Sequence, residues 1–238
     1  MDSNRKTAII VGVLFLIATV IIIIGGVFSL SIYETDYLTA VSANENQVVL
    51  GALLEIIAAA AVVGIPIAMF PILKKYNEGL ALGYVGARIF EGLTIFLNTI
   101  VLLSILALSQ QFVNTVTPDA SYFQTSGTLL LASRARISIL VDFSFPPGAI
   151  IFNYLLYKTK LTPRWLAALG IIGGALLFAT APFHMFGFNP EPMEFLALPI
   201  AAQEMILAVW LIVKGFDPSA VASLSTKKKK ENGSGDSL

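Results

Sequence analysis

Six stretches of this 238-residue chain are apolar for about twenty residues or more: 7–32, 48–73, 80–108, 137–157, 164–184 and 194–214. An α-helix of that length crosses the hydrocarbon of a bilayer. No water satisfies peptide N–H and C=O groups there, so a spanning segment must satisfy its own, as a helix does. The pattern predicts an all-α, polytopic membrane protein with six transmembrane helices. Only 13% of the residues are charged, about half the share of an ordinary soluble domain. Little chain lies between the spans, so we read 1–216 as one six-helix transmembrane domain. The remainder, 217–238, is polar and lysine-rich and reads as a disordered cytoplasmic tail.

The charges are sorted along the chain. Twelve of the fifteen Lys and Arg lie at Arg5 and Lys6, at Lys74 and Lys75, at Lys158, Lys160 and Arg164, and at Lys214 and Lys227 to Lys230. The alternate loops carry Glu34, Asp36, Glu45, Asp119, Glu191 and Glu194 without a Lys or Arg. Basic loops stay cytoplasmic. This places the protein in the cell membrane as a multi-pass chain with both termini inside. Tyr76, Tyr157, Trp165 and Trp210 fall near the inner boundary, and Tyr33, Tyr37 and Tyr122 near the outer one, where amphipathic rings suit the headgroups.

Local signals refine the spans. Thr117-Pro118-Asp119 has a capping residue, a proline for the first helical position and an acid for the dipole. It predicts an extra outer-side helix at 118–133, before the fourth span. Arg134 and Arg136 fall at that junction and read as arginines snorkelling to the outer headgroups, with anion binding as the alternative. Pro66 and Pro71, Pro146-Pro147-Gly148 and Pro182 interrupt spans, and the double proline predicts a break or kink in the fourth. Gly79/Gly83 and Gly170/Gly174 have the spacing that lets helices approach closely.

The residues that invite a functional question are ionisable groups inside the spans. A charge at the bilayer centre costs ~2.5–3.5 kcal/mol, so it faces a protein interior or a wet cavity. Arg88, Glu91 and Asn98 share a stripe of the third span. Arg88 lies ~12 Å from the inner end of its helix, with Glu91 nearer the midplane. Glu204, beside Gln203, overlaps them in depth, whereas Glu55 and Asp142 lie nearer the outer side. Arg88 can serve two carboxylates, and Glu204 is the cross-helix partner its depth selects. Two readings compete. In one, the charges are a structural ion-pair network. In the other, the excess of embedded acids over Arg88 is the material of a proton or cation pathway.

Enzyme chemistry finds little support. The chain has no cysteine and a single histidine, His184, placed at the outer end of the fifth span. Catalytic zinc usually takes three protein ligands, and no nucleophile motif accompanies His184. No lysine lies mid-span, which excludes a retinal Schiff base, and no cofactor is implied.

The strings VSANENQVVLGALLE (41–55), KKYNEGLALGYVGARIFEG (74–92), PDASYFQTSGTLLL (118–131), LTPRWLAALGIIG (161–173) and LALPIAAQEMILAVWLIVKGF (196–216) resemble the prokaryotic membrane family called domain of unknown function 4386. The resemblance implies a multi-span prokaryotic membrane protein and supplies no activity, substrate or catalytic residue. The functional reading therefore rests on the residues. It is binding or passage of a small solute, proton or cation at a polar site of Glu55, Arg88, Glu91, Asn98, Gln203 and Glu204, with Asp142 and Arg136 as secondary candidates. The alternative is a non-transporting sensor or lipid-binding scaffold. The partners implied are membrane lipids and a small ligand, and no nucleic acid.

Overall fold

The computed structural model describes residues 2–115, 120–188 and 190–235. Its elements are α1 (Ser3–Phe28), α2 (Tyr37–Ala43), α3 (Glu45–Leu73), α4 (Glu78–Asn114), α5 (Ala120–Thr159), α6 (Arg164–Met185), α7 (Leu198–Val213) and α8 (Pro218–Gly235), with 3₁₀ turns at Leu30–Tyr33 and Glu191–Ala197. Six helices are long and apolar enough to cross a membrane: α1, α3, α4, α5, α6 and the one ending at Val213. The protein is an all-α, multi-pass membrane protein. Ile23, Leu93, Ile172 and Val209 each expose more than half of their surface, a face suited to acyl chains rather than water. At 37 and 40 residues, α4 and α5 measure about 55–60 Å, well beyond the ~30 Å hydrocarbon core.

The chain forms two units. The first comprises Met1–Leu16, Ala61–Phe90 and Asp142–Leu238; the second comprises Ile17–Ala60 and Glu91–Val141. In the first, Phe15, Ile65, Met69, Tyr84, Phe152, Leu155, Leu207 and Leu211 form a buried core. Phe152 stacks on Tyr84 at 4.7 Å and on Phe15 at 5.9 Å between ring centres. Small residues let the backbones meet. A Cβ at Gly12 would lie 2.6 Å from the Ala208 carbonyl oxygen, and one at Gly173 2.7 Å from the Ile200 nitrogen. In the second unit Ile32, Val41, Val48, Ala52, Leu102 and Ile105 form the core, and α1 meets α3 where a Cβ at Gly51 would lie 3.0 Å from the Gly25 carbonyl oxygen.

Several sequence expectations change. The Gly170–Gly174 stretch makes the close approach its spacing suggested, but Gly79 and Gly83 do not, because a Cβ at either meets nothing nearer than 3.5 Å. The fourth span is not broken at its double proline: α5 runs as one helix through Pro146 and Pro147. Two lost hydrogen bonds are tolerable where neighbouring helices hold the segment. Here Gly148 packs on Ala87 of α4, and Gly174 of α6 lies beside the Pro146 carbonyl. The Thr117-Pro118-Asp119 helix start lies outside the described residues. From Ala120 the expected extra helix continues into the fourth span as part of α5.

After the last span the chain continues as α8, and Ala220 and Leu224 of that helix belong to the first unit's core. Asp217 caps it. Its Oδ1 accepts from the Ser219 hydroxyl and from the Ser219 and Ala220 amides. The Ser219 hydroxyl, followed by the Ala220 amide, holds the Asp217 carboxyl below its usual range.

Candidate functional site

In the first unit, Arg88 of α4 donates from Nη2 to Glu204 Oε1 of α7 at 3.1 Å. The two side chains are 3% and 13% exposed, so the pair is nearly dry. The guanidinium carbon lies 5.2 Å from the Phe145 ring centre, 5.6 Å from Phe15 and 5.8 Å from Tyr84. Tyr84 precedes Arg88 by one helical turn, which places both on one stripe of α4. A planar cation of this kind stacks its faces on rings and keeps its edge for a carboxylate, which an ammonium cannot do. One residue before Glu204, fully buried Gln203 donates to Asn153 Oδ1 of α5 at 2.9 Å. Asn153 in turn donates to the Ala149 carbonyl and fills the space left by Gly170, where a Cβ would collide with the Asn153 amide.

The second unit has its own pair. Arg134 of α5 donates from Nη2 to Glu55 Oε1 of α3 at 2.5 Å and from Nη1 to the Asn98 carbonyl of α4 at 2.6 Å. Thr99 Oγ1 lies 2.8 Å from Glu55 Oε2 and 3.0 Å from the Ile95 carbonyl. Its one proton serves the carboxylate better, since charge-assisted bonds are the stronger. Asn98 Nδ2 donates to Ser138 Oγ, one turn beyond Arg134, at 3.0 Å. Arg134 and Ser138 also line a cavity of about 260 Å³ with Glu34, Tyr37, Leu131 and Ala135.

A family model described as a domain of unknown function, DUF4386, matches residues 10–215. The chain belongs to the DUF4386 family. No curated protein and no solved structure matches it.

The DUF4386 chain sorts its sequence candidates into distinct groups. Arg88 and Glu204 meet, as their depths suggested. Glu55 does not join them; its partner is Arg134, which binds inside the second unit instead of snorkelling to headgroups. Arg134 is 12% exposed, and Glu55 6%. Glu91 is buried in the second unit, where its carbonyl accepts from Thr94. Asp142 receives a partner within the first unit, His184 Nδ1 at 2.7 Å. Arg136 is exposed and stands apart from these groups.

Residues that the sequence reading passed over now carry part of the geometry, Thr99, Ser138 and Asn153, beside an Arg134 that it had assigned to the headgroups. Arg134 and Ser138 show a one-turn spacing that could have marked a common face. Asn153 carried a signal too, as an amide inside an apolar span. The embedded acids are better matched than a count against Arg88 alone suggested, because Glu55 has Arg134 as its cation and Asp142 has His184 as a hydrogen-bond partner.

Proposed function

We propose that this DUF4386 protein binds a small anionic solute together with a proton, at the Arg134 cavity of its second unit. The observation that carries the reading is a buried Arg–Glu pair whose arginine lines a cavity. At about 260 Å³ the cavity is smaller than the ~300–1,000 Å³ of drug-sized sites, so it suits a solute of a few heavy atoms. Charge balance supplies the coupling. Ionised Glu55 and Arg134 are neutral together, so an anion entering alone would leave an uncompensated buried charge. An anion entering with a proton for Glu55 keeps the site neutral and takes over the guanidinium.

The test uses purified protein with acetate, propionate and glycolate as probes and acetamide as the uncharged control. Calorimetry in buffers of different ionisation enthalpy counts protons taken up. The expected result is one proton per anion bound, with binding weakened at least tenfold in Arg134→Gln and proton uptake lost in Glu55→Gln. Binding without proton uptake, equal binding by Arg134→Gln, or no binding of any of the three carboxylates sinks the reading.

A second reading is favoured by the other pair. Arg88 is held among three rings and the Glu204 carboxylate, an arrangement suited to fixing helices in register. On that reading the first unit is a scaffold for binding or sensing in the second, and no solute crosses.

Both readings place the chain in the cell membrane with its termini in the cytoplasm, which rests on the basic loops. With no native cysteine, single cysteines report sidedness cleanly. An impermeant thiol reagent added to intact cells is expected to label Ala43→Cys and spare Glu78→Cys. The opposite pattern reverses the topology.

A further inference from the structure

The loop before α6 and the end of α7 enclose a cleft of about 460 Å³ lined by Lys160, Thr162, Arg164, Trp210, Lys214 and Asp217, among others. Its two walls are one piece, because the Asp217 amide donates to the Leu161 carbonyl at 3.0 Å. The cleft shares no residue with the Arg134 cavity, and its function does not depend on the solute reading above.

Three cations border this cleft against one carboxylate. That carboxylate is already engaged: Asp217 Oδ1 caps α8 through three hydrogen bonds. Of these exposed cations one is held by a neighbour. Arg164 sits 5.0 Å from the Tyr157 ring centre, which holds one face of the guanidinium and leaves its edge for a ligand. Lys160 adopts a left-handed backbone, φ 57°, and so does Gly215 after Lys214, φ 76°. Both lysines are thus carried on tight turns. Gly215 is also required for space, since a Cβ there would lie 2.7 Å from the Arg5 guanidinium. Thr162 is 3% exposed, and its hydroxyl, closed off from solvent, has no hydrogen-bond partner among the described residues, a deficit that a ligand atom could remedy once a turn of the side chain brings the hydroxyl into the cleft. No side chain caps the start of α6 at Pro163, so the positive end of that helix dipole faces the same loop. A row of lysines that served only to fix topology would need neither a cleft nor a buried hydroxyl.

We propose that this cleft is a binding site for a phosphate group, with Arg164 and Lys214 as its principal ligands and Thr162 as a hydrogen-bonding side chain. A planar guanidinium and an ammonium beside a helix start are the donors that tetrahedral oxyanions recruit. The phosphate could belong to a lipid headgroup or be free in solution. Trp165, 57% exposed, and Trp210 set the cleft at the level of the headgroups.

Trp210 lies in the wall and supplies the readout. The chain has two tryptophans, so Trp165→Phe isolates its emission. Full-length protein in phosphatidylcholine nanodiscs is compared with nanodiscs containing phosphatidic acid, with nanodiscs containing oleate at equal negative charge, and with inorganic phosphate added at constant ionic strength. The expected result is a saturable Trp210 shift with a phosphate-bearing probe and none with oleate. In Arg164→Gln and in Lys214→Gln the apparent affinity falls about tenfold or more, and in Thr162→Val it falls by a smaller factor. A response to phosphatidic acid alone assigns the phosphate to lipid, and a response to inorganic phosphate as well assigns it to a soluble ligand. An equal response to oleate, no response to either phosphate probe, or unchanged affinity in folded Arg164→Gln and Lys214→Gln overturns the proposal.

Discussion

Replacing Arg88 with leucine is expected to cost about 3–5 kcal/mol of stability, the usual penalty for removing one partner of a buried ion pair. Three causes add. Glu204 loses its cation in a site where the pair is only 3% and 13% exposed. Phe15, Tyr84 and Phe145 lose the cation they surround. The cavity left by the longer side chain removes packing. Arg88→Lys should recover little, because an ammonium cannot both stack on rings and present a planar edge to a carboxylate. Arg88→Leu/Glu204→Gln should recover part of the loss, since the stranded acid is gone. Unfolding of the purified variants in detergent, followed by circular dichroism, gives the comparison. An Arg88→Leu protein as stable as the wild type would show that the pair does not hold the first unit together.

Gly173→Val should cost about 3 kcal/mol, at the upper end for an overpacked interior. A Cβ at this position would stand 2.7 Å from the Ile200 nitrogen and 3.0 Å from its Cα. Those are backbone atoms, so no rotamer change can clear them, and α6 and α7 must separate. Gly86→Ala is the control. Its Cβ would meet nothing within 4 Å, and alanine is the better helix former by ~1 kcal/mol. The control should therefore be neutral or slightly stabilising. If both variants melt alike, the close approach of α6 to α7 is not what limits stability.

The parts of the fold legible in sequence are those set by a one-dimensional rule. Apolar length gave six spans, because hydrocarbon thickness is fixed. Depth along a helix matched Arg88 to Glu204, because rise per residue is fixed. Depth does not reveal azimuth, which decided the rest. Arg134 sits at the junction where an arginine ordinarily reaches for headgroups, yet its face of α5 turns toward Glu55 and the Asn98 carbonyl. Asp142 and His184 were both placed near the outer side, and only the packing of α5 with α6 in the first unit pairs them. The glycine spacings carry the same ambiguity: Gly170–Gly174 faces a neighbour's backbone and side chains at close range, whereas Gly79 and Gly83 meet only ordinary side-chain contacts. At the double proline the expected break is absent for a different reason. A local rule counts the hydrogen bonds lost, but whether a helix survives depends on the neighbours pressed against it.

Arg5 closes the first unit by donating to the carbonyls of Leu211, Ile212 and Val213, more than 200 residues away. These carbonyls end the last span, so the clamp cannot form until α7 has left the ribosome. Every segment of the second unit, by contrast, has been synthesised by Val141. During biogenesis the unit carrying Glu55 and Arg134 can therefore assemble while the N-terminal arm of α1 still lacks its partner. Nascent chains released at increasing lengths should acquire protease protection in two stages, and Arg5 would belong to the later one.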